Sequence, residues 1–250
     1  MRFACHRGKD LAKMRAVEKG ISQELQPVFR SIPAATAFTI LTCAIGAVAF
    51  AQSSAPPSPP PAPLMPITLA GDAERGAVIG QTCTGCHGIP GYYNAHPAYQ
   101  VPMLGGQNAD YIEVALQGYR RGTRGHETMQ AQASSLSDQD IADVAAYFES
   151  FKGEAETPRT LASAEKIEAG RAKSATCAAC HGPEGVAAAP QWPNLAGQHE
   201  TYLQVALERY KTGQRVDMVM NPLIAQLDKQ SIEELAAFFA SQPHLHNTEP

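Results

Sequence analysis

The chain reads as an all-α protein made of two similar small helical domains in tandem. Three observations carry that reading: a short cysteine motif that occurs twice, a long internal repeat that contains it, and apolar stripes at helical spacing. The motif stands as "TCTGCHG" at residues 82–88 and returns as "TCAACHG" at residues 176–182.

A Cys-x-x-Cys pair alone serves zinc sites, redox motifs and covalent haem. The histidine directly after the second cysteine narrows the choice. In Cys-x-x-Cys-His two thiols add across the haem vinyl groups and the adjacent imidazole binds the iron, so one short stretch both attaches and ligates the cofactor. Cys83, Cys86, Cys177 and Cys180 are therefore read as the covalent attachment points of two haem c groups, with His87 and His181 as axial iron ligands. Two disulfides or one four-cysteine zinc site would use the same thiols. The first needs no histidine, and the second leaves both unexplained.

The repeat extends well beyond the motif. "LGGQNADYIEVALQGYRRGTRGHETM", residues 104–129, aligns without a gap on "LAGQHETYLQVALERYKTGQRVDMVM", residues 195–220, at a spacing of 91 residues. Gly106, Gln107, Tyr111, Arg124 and Met129 recur as Gly197, Gln198, Tyr202, Arg215 and Met220. That period is too long for a solenoid unit and suits two small domains. The halves differ by three residues after the histidine, within the Gly/Pro-rich stretch "GIPGYYNAHPAYQVPML" of the first half, where a loop absorbs insertions.

Each half reads as helices only. Ser137 opens a helix in "SDQDIADVAAYFESF", with Asp138 and Asp140 in its first turn and Ile141, Val144, Ala145 and Phe148 on one face. Ile232, Leu235, Ala236 and Phe239 repeat the stripe in "DKQSIEELAAFFAS", where Asp228 takes the capping place of serine. A further helix precedes each cysteine motif. Gly76 and Gly170 both stand seven residues before the first cysteine, where a missing side chain lets two helices cross closely. Domains this small have thin apolar cores, so buried haem is expected to supply much of each.

A single histidine leaves one face of the iron open, and the second ligand separates electron carriers from enzymes and sensors. Met129 and Met220 are the candidates in register, 42 residues after His87 and 39 after His181, the offset being the loop difference. Met218 is opposed by Glu127 and Met103 by Asn194, so neither passes the repeat test. His126 is read as a surface histidine, and His96 and His199 as exposed or locally hydrogen-bonded. Arg124 and Arg215 are read either as partners of the haem propionates or as part of a solvated face.

The first fifty residues are basic. Seven Lys or Arg and three Asp or Glu precede Ala51, and the uncharged run "AATAFTILTCAIGAVAF", residues 34–50, follows them. With Ala49-Phe50-Ala51 as an A-x-A site, residues 1–51 read as a signal peptide; the second reading is an uncleaved anchor that associates with the membrane through residues 34–50. Cys43 lies inside this run and Cys5 before it, and neither has an assigned role. The expected organisation continues with a Pro-rich linker at 52–70, a first domain at 71–152, a linker at 153–162, a second domain at 163–243 and a tail at 244–250. Beyond Ala51 there are 13 basic and 21 acidic residues, minus 8 before propionates, which argues against nucleic acid and for charge-complementary docking on a basic partner.

Together these features resemble the dihaem cytochrome c4 family, two class I cytochrome c domains in tandem. Pro102-Met103-Leu104-Gly105-Gly106-Gln107 and Pro193-Asn194-Leu195-Ala196-Gly197-Gln198 fit its Pro-x-Leu-x-Gly-Gln loop. The resemblance covers roughly residues 70–242. It implies that the Pro102 and Pro193 carbonyls accept hydrogen bonds from the iron-binding imidazoles. It also implies a periplasmic one-electron carrier between a quinol-oxidising cytochrome complex and a terminal oxidase, with a periplasmic dehydrogenase as an equally compatible donor. The competing readings are a dihaem peroxidase or thiosulfate-oxidising cytochrome with one open iron, and a cytochrome subunit dedicated to one dehydrogenase.

Overall fold

The computed structural model describes residues 62–151, 160–246 and 248. The expected signal peptide or anchor, with Cys5 and Cys43, lies outside the described residues, as do the first part of the Pro-rich linker and most of the interdomain linker.

In the first half, α1 (Ala73–His87) starts where the Asp72 carboxylate accepts hydrogen bonds from the Glu74 and Arg75 amides. After α1 come β1 (Tyr93–Asn94) and β2 (Tyr99–Gln100), then α2 (Ala109–Arg120), α3 (Glu127–Ser134) and α4 (Asp138–Ser150). The second half carries α5 (Ala164–Lys173), α6 (Ala175–His181), α7 (Glu200–Thr212), α8 (Met220–Ala225) and α9 (Lys229–Ala240).

In each half a helix that carries or leads into the motif crosses the last helix, α1 on α4 and α5 on α9. The crossing is close because of glycine: a Cβ on Gly76 would stand 2.0 Å from the Asp143 carbonyl oxygen, and one on Gly170 would stand 2.0 Å from that of Glu234. The expected stripes form the cores. Ile141, Val144, Ala145 and Phe148 are buried with Ile112, Leu116 and Tyr119, and Leu235, Ala236 and Phe239 with Leu203 and Phe238. Ser137 makes a full capping box with Asp140, and Asp228 accepts from the Ser231 amide at 2.8 Å.

Three features depart from a helices-only pattern of matching halves. The inserted loop forms an antiparallel hairpin, Tyr93 opposite Gln100 and Asn94 opposite Tyr99. Its Tyr99 is buried against Tyr202 of the second half, with Arg209 over its ring, so the extra residues bind the halves together. The helix that leads to the second motif is broken between α5 and α6, where buried Ser174 turns its hydroxyl back onto the Arg171 carbonyl at 2.9 Å. Residues 62–70 lie along the first half, where Gln117 donates to the Met65 carbonyl and Gln139 to the Ala70 carbonyl, both at 2.9 Å.

Both halves belong to one compact unit. The end of the chain helps to join them: buried Leu245 bonds to the Ala196 carbonyl of its own half, and the His246 amide to the Gly105 carbonyl of the other.

Candidate haem sites

Each motif ends a helix, which places its histidine at the helix terminus and inside the protein. His87 closes α1 and His181 closes α6, and both are buried. The imidazole Nδ1–H of His87 donates to the Pro102 carbonyl at 2.8 Å, and that of His181 to the Pro193 carbonyl at 3.0 Å. A carbonyl can only accept, so each ring is held in the tautomer that leaves Nε2 available to a metal. Burial lowers the pKa of both rings, which keeps the imidazoles in the neutral form that ligation requires.

The loop that supplies each carbonyl is tied to the last helix. The Gly106 amide donates to the Phe148 carbonyl and the Gly197 amide to that of Phe239, both at 3.0 Å. Gly106 and Gly197 adopt φ of 77° and 76°, a conformation that favours glycine, and the turn closes from the Gln107 amide to the Leu104 carbonyl and from the Gln198 amide to that of Leu195.

A continuous cavity of about 370 Å³ runs through both halves. Leu104, Leu116, Val144 and Phe148 wall it in the first half, and Leu195, Leu203, Leu235 and Phe239 in the second. Cys83, His87, Met129, Cys177, Cys180, His181 and Met220 also face it, while Cys86 is exposed and off its wall. None of the four motif cysteines is disulfide-bonded, and burial raises the thiol pKa of Cys83 and Cys177. Met129 packs on the first core from the first turn of α3, and Met220 is the first residue of α8. Met218 is 62% exposed.

The other residues singled out in the sequence take varied places. His126 is the N-cap of α3: its Nδ1 accepts from the Met129 amide at 3.2 Å, and its ring stands edge-on to Tyr119. His199 is buried, and His96 is exposed. Arg124 and Arg215 are buried too, which overturns the solvated-face reading. They lie opposite each other as a backbone bridge between the halves. Arg124 donates to the Tyr111 hydroxyl at 3.0 Å and the Tyr202 hydroxyl at 2.7 Å, and Arg215 to Tyr111 at 2.8 Å. Burial pushes the Tyr111 phenol up, but the two guanidiniums outweigh it and bring it down to about 8.

A second set of bonds across the interface was not foreseen. Gln107 Nε2 donates to the Asn194 carbonyl at 3.0 Å while its Oε1 accepts from the Asn194 amide at 2.8 Å. Gln198 treats Met103 in the same way, with both bonds at 2.9 Å. The signal available in the sequence was a glutamine repeated in register inside a loop.

The arrangement suits haem. It offers two buried imidazoles with Nε2 uncommitted, two thiol pairs, apolar walls, and a buried Arg124 Nε with no partner of its own. The fold and the site together define a class: two c-type cytochrome domains in tandem.

Comparison with known proteins agrees. The Cytochrome c family model matches residues 73–152 and again 167–243. Cytochrome c4 of Pseudomonas aeruginosa is 33% identical over 180 residues, covering 68% of this chain and 88% of that protein. A protein of Stutzerimonas stutzeri, "Thiosulfate dehydrogenase electron acceptor", is 29% identical over 172 residues, 64% of this chain and 78% of its own length. The crystal structure of reduced recombinant cytochrome c4 from Pseudomonas stutzeri superposes with a TM-score of 0.58 at 29% identity, over 70% of this chain and all of that one. The chain belongs to the dihaem cytochrome c4 family and carries two covalently bound haem c groups; its activity is electron transfer.

Proposed function

We propose that the protein is a periplasmic carrier that passes electrons one at a time between respiratory redox partners through two six-coordinate haems. Cys83 and Cys86 attach the first haem and Cys177 and Cys180 the second; His87 with Met129, and His181 with Met220, are the axial ligands. The observation that carries this reading is the duplication of a whole environment, with a carbonyl-bonded buried histidine and a methionine in register on the wall of one continuous cavity.

When bound, haem supplies the ferrous–ferric couple, and thioether ligation and burial favour the ferrous state. The chain's own residues do the rest. The Pro102 and Pro193 carbonyls orient the imidazoles, and the leucine and phenylalanine walls exclude water. Arg124 and Arg215 are apposed on the wall of the cavity that the two sites share, which supports electron passage between the two haems when they are bound.

The apolar run at residues 34–50 and the A-x-A site support export; among the described residues no helix is long and apolar enough to cross a membrane. The excess of acidic over basic residues beyond Ala51 supports docking on basic partners. A quinol-oxidising complex as donor and a terminal oxidase as acceptor are the partners that the family resemblance suggests. A periplasmic dehydrogenase as donor has a specific support in the relative called a thiosulfate dehydrogenase electron acceptor.

The test is the carbon monoxide difference spectrum of the fully reduced, haem-loaded protein. The expected result is no binding, because both irons are six-coordinate. Binding at one haem would overturn the reading in favour of a dihaem peroxidase or thiosulfate-oxidising enzyme with an open site.

A further inference from the structure

Gln107 and Gln198 are among the most deeply buried polar residues, and their carboxamides are bonded to groups other than the histidine of their own half. Each carboxamide reaches across the interface and bonds to the amide and the carbonyl of a single residue in the other half, Asn194 or Met103. Those two residues immediately follow Pro193 and Pro102, whose carbonyls hold His181 and His87. The peptide unit that orients each histidine is thus bonded on its far side by the opposite half.

The glutamines are well placed to act this way. The Oε1 of each also accepts from the amide of the next residue, Asn108 or His199, at 3.0 Å, which locks the carboxamide in one orientation. Only with oxygen toward the amides and nitrogen toward the carbonyl are all three bonds made. The positive-φ glycine just before each glutamine sets where the side chain starts.

We propose that Gln198 is a positioning residue for the His87 haem and Gln107 for the His181 haem, so that each half tunes the other's electron affinity. A firm Nδ1–H bond makes the imidazole a more basic ligand and stabilises ferric iron. Loss of the clamp loosens the Pro102 or Pro193 peptide, weakens that bond and raises the potential of the haem on the far side of the interface. The proposal rests on the assignment of His87 and His181 as iron ligands.

The experiment is redox titration of the haem-loaded protein, with the two haems followed separately by their shifted methyl signals in NMR spectra, for Gln198→Met and Gln107→Met. Gln198→Met should shift the redox equilibrium of the His87 haem by up to about tenfold, or about 59 mV, and leave the His181 haem nearly unchanged; Gln107→Met should do the reverse. Gln198→Glu keeps the accepting oxygen and should give a smaller shift of the same haem, and it serves where the apolar variant fails to mature. A shift in the glutamine's own half, an equal shift of both haems, or none would overturn the proposal. Failure of the underlying assignment would show differently, as wild-type protein without the signals of low-spin, histidine-bound iron.

Discussion

Gly76 and Gly170 stand at matching places in the two halves, and each leaves the same 2.0 Å between a would-be Cβ and a helix carbonyl. Four residues on, the halves part. α1 continues unbroken to His87, whereas the second half breaks its helix at Ser174, the residue that corresponds to Gly80. The helix crossing that seats the motif is thus the same in both, while the path from crossing to histidine is not. What both paths must deliver is one geometry, an imidazole Nδ1–H on a proline carbonyl, and they deliver it at 2.8 and 3.0 Å. The duplicated chain preserves the end points of the site and lets the connecting backbone vary.

The largest expected effect tests the part the halves share. Gly76→Ala and Gly170→Ala each press a methyl against backbone that cannot move aside, so each should cost about 3 kcal/mol in unfolding of the haem-loaded protein by urea. Equal losses would support a common crossing. A tolerated alanine at only one position would show that the two crossings differ in rigidity.

Next comes the centre, where the halves meet unequally. Arg124 donates to two phenols and lies over the rings of Tyr111 and Tyr119, while Arg215 donates to one phenol and lies over Tyr210. Arg124→Gln should therefore cost about 2 kcal/mol and Arg215→Gln about half of that, measured by thermal unfolding. The reverse order would mean that the interface depends on the second half's arginine.

These differences mark how far the sequence is legible. The motifs, the repeat, the caps at Ser137 and Asp228 and the two crossing glycines follow from local chemistry, so the residues themselves announce them. Arg124, Arg215, Gln107 and Gln198 do not. They are polar, they interrupt no apolar stripe, and the other half is what buries them, so helical periodicity carries no trace of it. His126 escaped for a related reason: a histidine makes an uncommon N-cap, and its place was visible only once the start of α3 was known. Tyr99 lies in an insertion that the repeat cannot align, and its partner Tyr202 is more than a hundred residues away.

The smallest effect separates the caps of the two last helices. Hydrogen bonds from Ser231 hold the Asp228 carboxyl below its ordinary range, and those from Ser137 do the same for Asp140. A carboxyl depressed in the folded state adds stability above its unfolded value, near 3.8, and that stability fades as pH falls through the lower folded value. In the second half the carboxylate is itself the N-cap, so acid removes the cap acceptor. In the first half the Ser137 hydroxyl still accepts from the Asp140 amide after the carboxyl is protonated. Asn caps about as well as Asp without titrating, so Asp228→Asn should leave stability near neutral pH almost unchanged and flatten its fall below pH 4. Thermal unfolding followed against pH checks this. If α9 proved as acid-sensitive with asparagine as with aspartate, its acid response would have to arise from its other carboxylates, with Glu234, held low mainly by its bonds to Lys173 and Gln230, the first to test.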